Sequence, residues 1–160
     1  MHATCAELLE EQLRPGATVL DVGSGSGYLA AVFAQMVGPA GRVVGVEVVP
    51  QLVERSKIAL RDDPSTADMV AAGTVSIHHA DAHWGMSAHA PYDAIHVGAA
   101  AEAVPQALVD QLKDGGRMII PVGRQGQAQV LAQVDKDLEG RVHHKALMGV
   151  QYVPLVRSQQ

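Results

Sequence analysis

The run Val19-Leu20-Asp21-Val22-Gly23-Ser24-Gly25-Ser26-Gly27-Tyr28 decides how the rest of this chain is read. It starts as a short apolar strand, passes through a glycine-rich turn and opens an apolar helix near Tyr28. Glycine admits backbone conformations closed to other residues and lets a ligand come close to the main chain. A helix beginning behind such a turn adds unpaired N–H groups and the positive end of its dipole. Strand, turn and helix in that order build a nucleotide-ligand site at the carboxyl end of a strand.

The glycine spacing narrows the ligand. A dinucleotide fingerprint, G-x-G-x-x-G, needs its third glycine at position 28, which is Tyr28; the third glycine here is Gly27. A Walker phosphate loop is excluded because no Gly-Lys-Ser/Thr follows. With Asp21 two residues ahead of Gly23, the G-x-G-x-G turn resembles the cofactor loop of S-adenosylmethionine-dependent methyltransferases.

Two acids lie in register with this turn. The β-branched run Arg42–Glu47 reads as the next strand and ends on Glu47, 24 residues past Gly23. That is close to the distance at which such folds set an acid on ribose hydroxyls, and a carboxylate can accept from both of them. Thr74–His78 alternates like a strand and leads into Ala80-Asp81-Ala82. Asp81 could accept from the exocyclic amine of adenine, although an acid so placed also serves as an ordinary cap or loop charge. Tyr92–Val97 is a fourth strand, delivering Gly98-Ala99-Ala100-Ala101 to the same edge, and Arg117–Gly123 is a fifth.

Helices are expected over 3–13 (Cys5, Leu8, Leu9 and Leu13 inward), Tyr28–Val37, Gln51–Arg61 and Val104–Leu112, the last with Pro105 in its first turn. Residues 62–73 read as a polar excursion and Lys113–Gly116 as a turn. Gln129–Val134 and Leu147–Val153 read as the last two strands. Five strands alternating with helices, then two strands in succession, predict an α/β, Rossmann-like fold. Its open, mostly parallel sheet has about seven strands with helices on both faces, in one domain spanning 1–160.

Composition bounds the function. Hydrophobic residues at 48% and charged residues at 18% fit a folded domain rather than a disordered one. A net charge of −5 without a Lys/Arg cluster argues against nucleic acid. One cysteine, Cys5, cannot form an internal disulfide, and no apolar run has the length of a membrane span. A cytoplasmic monomer without a membrane partner is expected.

Larger motifs carry a family resemblance over essentially the whole chain. Asp21–Tyr28, Pro91-Tyr-Asp-Ala-Ile-His-Val-Gly-Ala-Ala100, Leu112-Lys-Asp-Gly-Gly-Arg-Met-Ile-Ile-Pro-Val-Gly123 and Leu147-Met-Gly-Val-Gln-Tyr-Val-Pro-Leu155, with the start Met1-His2-Ala3, resemble the protein-L-isoaspartate (D-aspartate) O-methyltransferases. The resemblance implies methyl transfer from S-adenosyl-L-methionine to the α-carboxylate of isoaspartyl residues in damaged proteins, leaving S-adenosyl-L-homocysteine. It implies Asp21, Gly23, Ser24 and the following Gly25, Ser26 and Gly27 against the methionine part of the cofactor. Glu47 and Val48 then fall at the ribose and Asp81 and Ala82 at the adenine. His96, Val97, Gly98 and Ala99, with Tyr152, Val153, Pro154 and Leu155, border the substrate, and no metal is implied; His78-His79 and His143-His144 are read as structural or exposed.

Two departures accompany the resemblance. The family carries a section ahead of the Met-His-Ala motif whose serine lies over the cofactor and helps hold the isoaspartyl carboxylate; this sequence starts at Met1. A truncated domain that binds the cofactor or a protein without transferring is the alternative this raises. The family commonly has Gly-Asp-Gly where this chain has Ala80-Asp81-Ala82, which would be strained if the backbone there needed positive φ.

Overall fold

The computed structural model describes residues 1–156. Its centre is a seven-stranded sheet: β1 (Thr18–Val22), β2 (Arg42–Glu47), β3 (Val75–His79), β4 (Tyr92–Val97), β5 (Leu112–Val122), β6 (Gln129–Lys136) and β7 (Val142–Val150), in the order β3-β2-β1-β4-β5-β6-β7. The first five strands run parallel, and β6 and β7 each run antiparallel to the neighbour before them. The helices are α1 (His2–Leu8), α2 (Tyr28–Val37), α3 (Pro50–Asp62), α4 (Ala67–Ala71) and α5 (Gln106–Gln111).

β1, β2 and β4 are largely apolar because they are buried on both faces. Successive residues alternate between two cores. Val19, Val43, Ala94 and Ile119 pack with Cys5, Leu9, Phe33 and Val53 beneath α1, α2 and α3. Leu20, Val44, Ile95, Met118 and Ile120 pack on the other side with Leu108 and Val109 of α5. Asp21 and His96 interrupt two of these runs at equivalent positions and face each other across β1 and β4 in register. Sequence direction along the sheet reverses between these two strands, and open sheets bind ligands at such a point, beyond the carboxyl ends.

Several elements differ from the sequence expectation. The first helix ends at Leu8 and continues to Gln12 as turns, still burying Cys5, Leu9 and Leu13. α4 occupies part of the polar excursion; none of its residues is buried, so it carries no apolar periodicity to read. Pro105 is the N-cap of α5 with ψ 123°, so the helix begins after it, not around it. The Lys113–Gly116 turn lies inside β5 as an irregularity: Tyr92 pairs with Leu112, and Ala94 with Arg117. The last strand begins and ends earlier than expected, because residues 151–155 leave β7 and bridge instead to Ala100, where Ala100 N–H donates to the Val153 carbonyl at 2.8 Å.

Candidate functional site

The turn after β1 is held from beneath. Gly23 and Ser24 N–H both donate to the Val46 carbonyl of β2, at 2.8 and 3.1 Å. Gly23 sits at φ +72° and Gly27, the N-cap of α2, at φ +80°, a region that side chains disfavour. Gly98, at the end of β4, approaches so closely that a Cβ there would lie 3.0 Å from the Gly23 carbonyl oxygen.

Glu47 completes the support. Its carboxylate is 6% exposed and accepts Gly25 N–H on Oε2 and Val49 N–H on Oε1, each at 3.0 Å. The acid at the end of β2 therefore fastens the glycine turn to the start of α3. Its oxygens retain acceptor capacity beyond these two bonds.

A cleft of about 430 Å³ opens between the carboxyl ends of β1 and β4. Of the residues expected to bind, Asp21, Gly23, Ser24, Gly25, Ser26, His96, Gly98 and Tyr152 line it. Asp21 is 1% exposed; its Oδ1 accepts from His96 Nδ1 at 2.8 Å, and its Oδ2 has no hydrogen-bond partner among the described residues. Ser24 Oγ is likewise buried and unpartnered among them. Burial disfavours the charged His96 ring, but the Asp21 hydrogen bond and the neighbouring Cys5 outweigh it and raise the imidazole to about 9. The floor of the cleft thus pairs an imidazolium with a carboxylate that keeps one oxygen open, beside an open hydroxyl and glycine main chain.

The remaining expected residues do not line this cleft. Gly27 packs on Ser56 and Leu60 behind the turn. The Val48 carbonyl accepts from His79 Nε2 at 3.0 Å. Asp81 caps a short 3-10 turn, Ala82–Trp84, and accepts His83 N–H at 2.9 Å. No non-glycine described residue has positive φ, so Ala80 and Ala82 fit without strain where the family commonly carries glycines. Ala82 and Val97 belong to the core under α5, and Val153 is exposed. Ala99 is buried, whereas Pro154 and Leu155 line a second cleft of about 670 Å³ with Ala100, Glu102 and Trp84.

Sequence reasoning missed part of the wall. Met1, His2, Tyr28, Leu29 and Gln151 also line the first cleft, and the His2 ring stacks on Tyr28 at 5.7 Å. His2, part of the Met1-His2-Ala3 start, comes from α1 and reaches the cleft through its stacking on Tyr28 of α2. The Asp21–His96 pair did have a signal: each polar residue stands two positions ahead of the glycine ending its strand. Among the described residues no group of three or more His, Cys, Asp or Glu could hold a metal. His78 bonds Ser76 Oγ at 2.9 Å, and His143 bonds Asp137 at 3.0 Å. Such a site can hold and orient a ligand; it presents one open carboxylate oxygen suited to a cation.

The model of the family described as protein-L-isoaspartate(D-aspartate) O-methyltransferase matches residues 1–160. Protein-L-isoaspartate O-methyltransferase 1 of Arabidopsis thaliana is 50% identical over 155 residues, 97% of this chain and 66% of that protein. The Triticum aestivum protein-L-isoaspartate O-methyltransferase is 50% identical over 161 residues, 100% of this chain and 69% of that protein. A Plasmodium falciparum structure, described as such a methyltransferase with S-adenosyl-L-homocysteine, superposes with a TM-score of 0.87 at 32% identity. That match covers 98% of this chain and 73% of the Plasmodium chain. The chain thus spans about two thirds of the length of these curated relatives.

The sheet, its glycine turn and the cleft at the β1–β4 reversal are those of a Rossmann-like S-adenosylmethionine-dependent methyltransferase fold. Within that class, this chain belongs to the protein-L-isoaspartate (D-aspartate) O-methyltransferase family.

Proposed function

We propose that this chain, as one domain over residues 1–160, is an S-adenosyl-L-methionine-dependent protein carboxyl O-methyltransferase acting on the α-carboxylate of isoaspartyl residues in damaged proteins. The observation that carries the reading is the buried pair of open acceptors, Asp21 Oδ2 and Ser24 Oγ, inside a glycine-walled cleft at the sheet's reversal point. A carboxylate, a hydroxyl and bare main chain together suit a zwitterionic amino-acid group, as the cofactor's methionine end is. Glu47 and Val48 at the end of β2 serve the ribose, and Asp81 with Ala82 at the end of β3 serves the adenine.

When bound, the cofactor supplies a methyl group on a positively charged sulfur. The chain's own part is alignment. A substrate carboxylate is ionised near neutral pH and needs no base to become a nucleophile. Holding it in line in an enclosed site is a proximity effect worth several kcal/mol, on the order of those measured for oriented reactions. His2 stacked on Tyr28, and Tyr152, line the cleft. Gly98 and Ala99 give the substrate close approach to the main chain, with Val153, Pro154 and Leu155 beyond. The proposal extends to a cytoplasmic monomer whose partners are isoaspartyl proteins and peptides; no described helix is long and apolar enough to cross a membrane.

Transfer of a labelled methyl group to an isoaspartyl peptide, against the matching aspartyl peptide, tests this reading. Isoaspartyl-selective labelling is expected. Cofactor binding without transfer would reduce the chain to a binding domain, and neither binding nor transfer would overturn the reading altogether.

A further inference from the structure

His96 borders the cleft but is largely buried. Its side chain is 5% exposed, and its Nδ1 is taken by Asp21 at 2.8 Å. Its other polar neighbour is the thiol of Cys5, carried on α1 and itself fully buried. Phe33 of α2 closes the ring edge-on at 6.0 Å. The ring is thus packed from β1, α1 and α2 at once, with its Nδ1 committed to Asp21. What it controls is Asp21. Neighbouring parallel strands put the two side chains on one face, because Asp21 and His96 are register partners. On Asp21's other flank the partner in β2 is Gly45, which offers no side chain and leaves room for Ser24.

A buried carboxylate bonded through one oxygen, even beside an imidazolium, leaves the hydrogen-bonding capacity of its second oxygen unmet. His96 supplies that bond to Oδ1 and so orients Oδ2, the oxygen left without a described partner in the cleft wall. We propose that His96 is a positioning residue for cofactor binding: by holding Asp21 Oδ1, with Cys5 bracing the ring, it aims Oδ2 at the ammonium group of the cofactor's amino-acid end. The inference rests on the proposed S-adenosylmethionine site and assigns His96 to the cofactor rather than to the substrate. The titratable groups around the ring are Asp21 on β1, Cys5 on α1 and, beyond Cys5, Tyr152 after β7.

Calorimetric titration of the full chain with two ligands tests this. S-adenosyl-L-homocysteine carries the ammonium group; 5′-methylthioadenosine has the same nucleoside and sulfur without it. His96→Leu removes the hydrogen bond, whereas His96→Asn keeps a donor at the Nδ1 position. His96→Leu is expected to weaken S-adenosyl-L-homocysteine about tenfold to a hundredfold, as for a lost charged hydrogen bond. It should leave 5′-methylthioadenosine unchanged, and His96→Asn should restore most of the difference. A His96→Leu protein that loses both ligands equally, or neither, overturns the role. If that variant does not fold, Asp21→Asn must show the same selective loss, and equal affinities there overturn it too. Wild-type protein that binds neither ligand removes the cofactor reading on which the inference stands.

Discussion

Replacing Glu47 by Gln separates two roles that this acid combines. Its two oxygens accept Gly25 N–H and Val49 N–H, both at 3.0 Å, from a side chain 6% exposed. A glutamine has one carbonyl oxygen, so its amide NH₂ must face one of those N–H donors. The variant loses one bond to a charged acceptor, a loss of about 1.5–3 kcal/mol, and buries two donors against each other. In a domain of this size each kcal/mol moves the midpoint by roughly 2–4 °C, so Tm should fall by roughly 3–12 °C without any ligand. Differential scanning calorimetry of the ligand-free protein reads this first role. Titration with adenosine reads the second, where a weakened ribose contact should lower affinity by about tenfold or more. A ligand-free midpoint equal to wild type would refute the argument that Glu47 fastens the turn; unchanged adenosine affinity would refute its ribose role.

Three further outcomes follow from the same geometry. Asp81→Ala should weaken cofactor binding more than Asp93→Ala, because Asp93 holds Thr18 N–H and Lys113 at the opposite edge of the sheet; equal losses by calorimetry would sink the adenine assignment. Gly23→Ala meets nothing closer than Gly98 C at 3.9 Å, so its cost is the positive φ alone, roughly 1–2 kcal/mol in a urea melt. Stability should depend on pH through His96, whose folded value of about 9 lies above its ordinary 6.5. That contribution, about 3 kcal/mol, is complete below pH 6.5, declines between 6.5 and 9 and is gone above. Urea midpoints across that window should fall in wild type, and the fall should be absent in His96→Asn.

The strands and helix nearest the cleft were legible because their signals are local. β1, α2, β2 and β4 begin and end where their apolar runs meet Gly23, Gly38, Gly41 and Gly98 or the acid Glu47. Legibility failed where long-range contacts decide. β7 is largely exposed on both faces, so no alternation marks it, and residues 151–153, which read as the end of the last strand, leave it, with the Val153 carbonyl accepting from Ala100 N–H. The β-branched run sets Glu47 at the end of β2, but its bonds to Gly25 and Val49 depend on a turn conformation that no spacing reveals. The same holds for His96: its position in the sequence suggests a border of the site, whereas the register of β1 against β4 gives it Asp21 as a partner.

The most direct test of the account is a crystal structure of this chain with S-adenosyl-L-homocysteine. The ligand's ammonium group should lie on Asp21 Oδ2, its ribose hydroxyls on Glu47 and its adenine beside Asp81. A ligand seated in the second cleft by Pro154 and Leu155, or one that leaves Asp21 Oδ2 and Ser24 Oγ untouched, would contradict it.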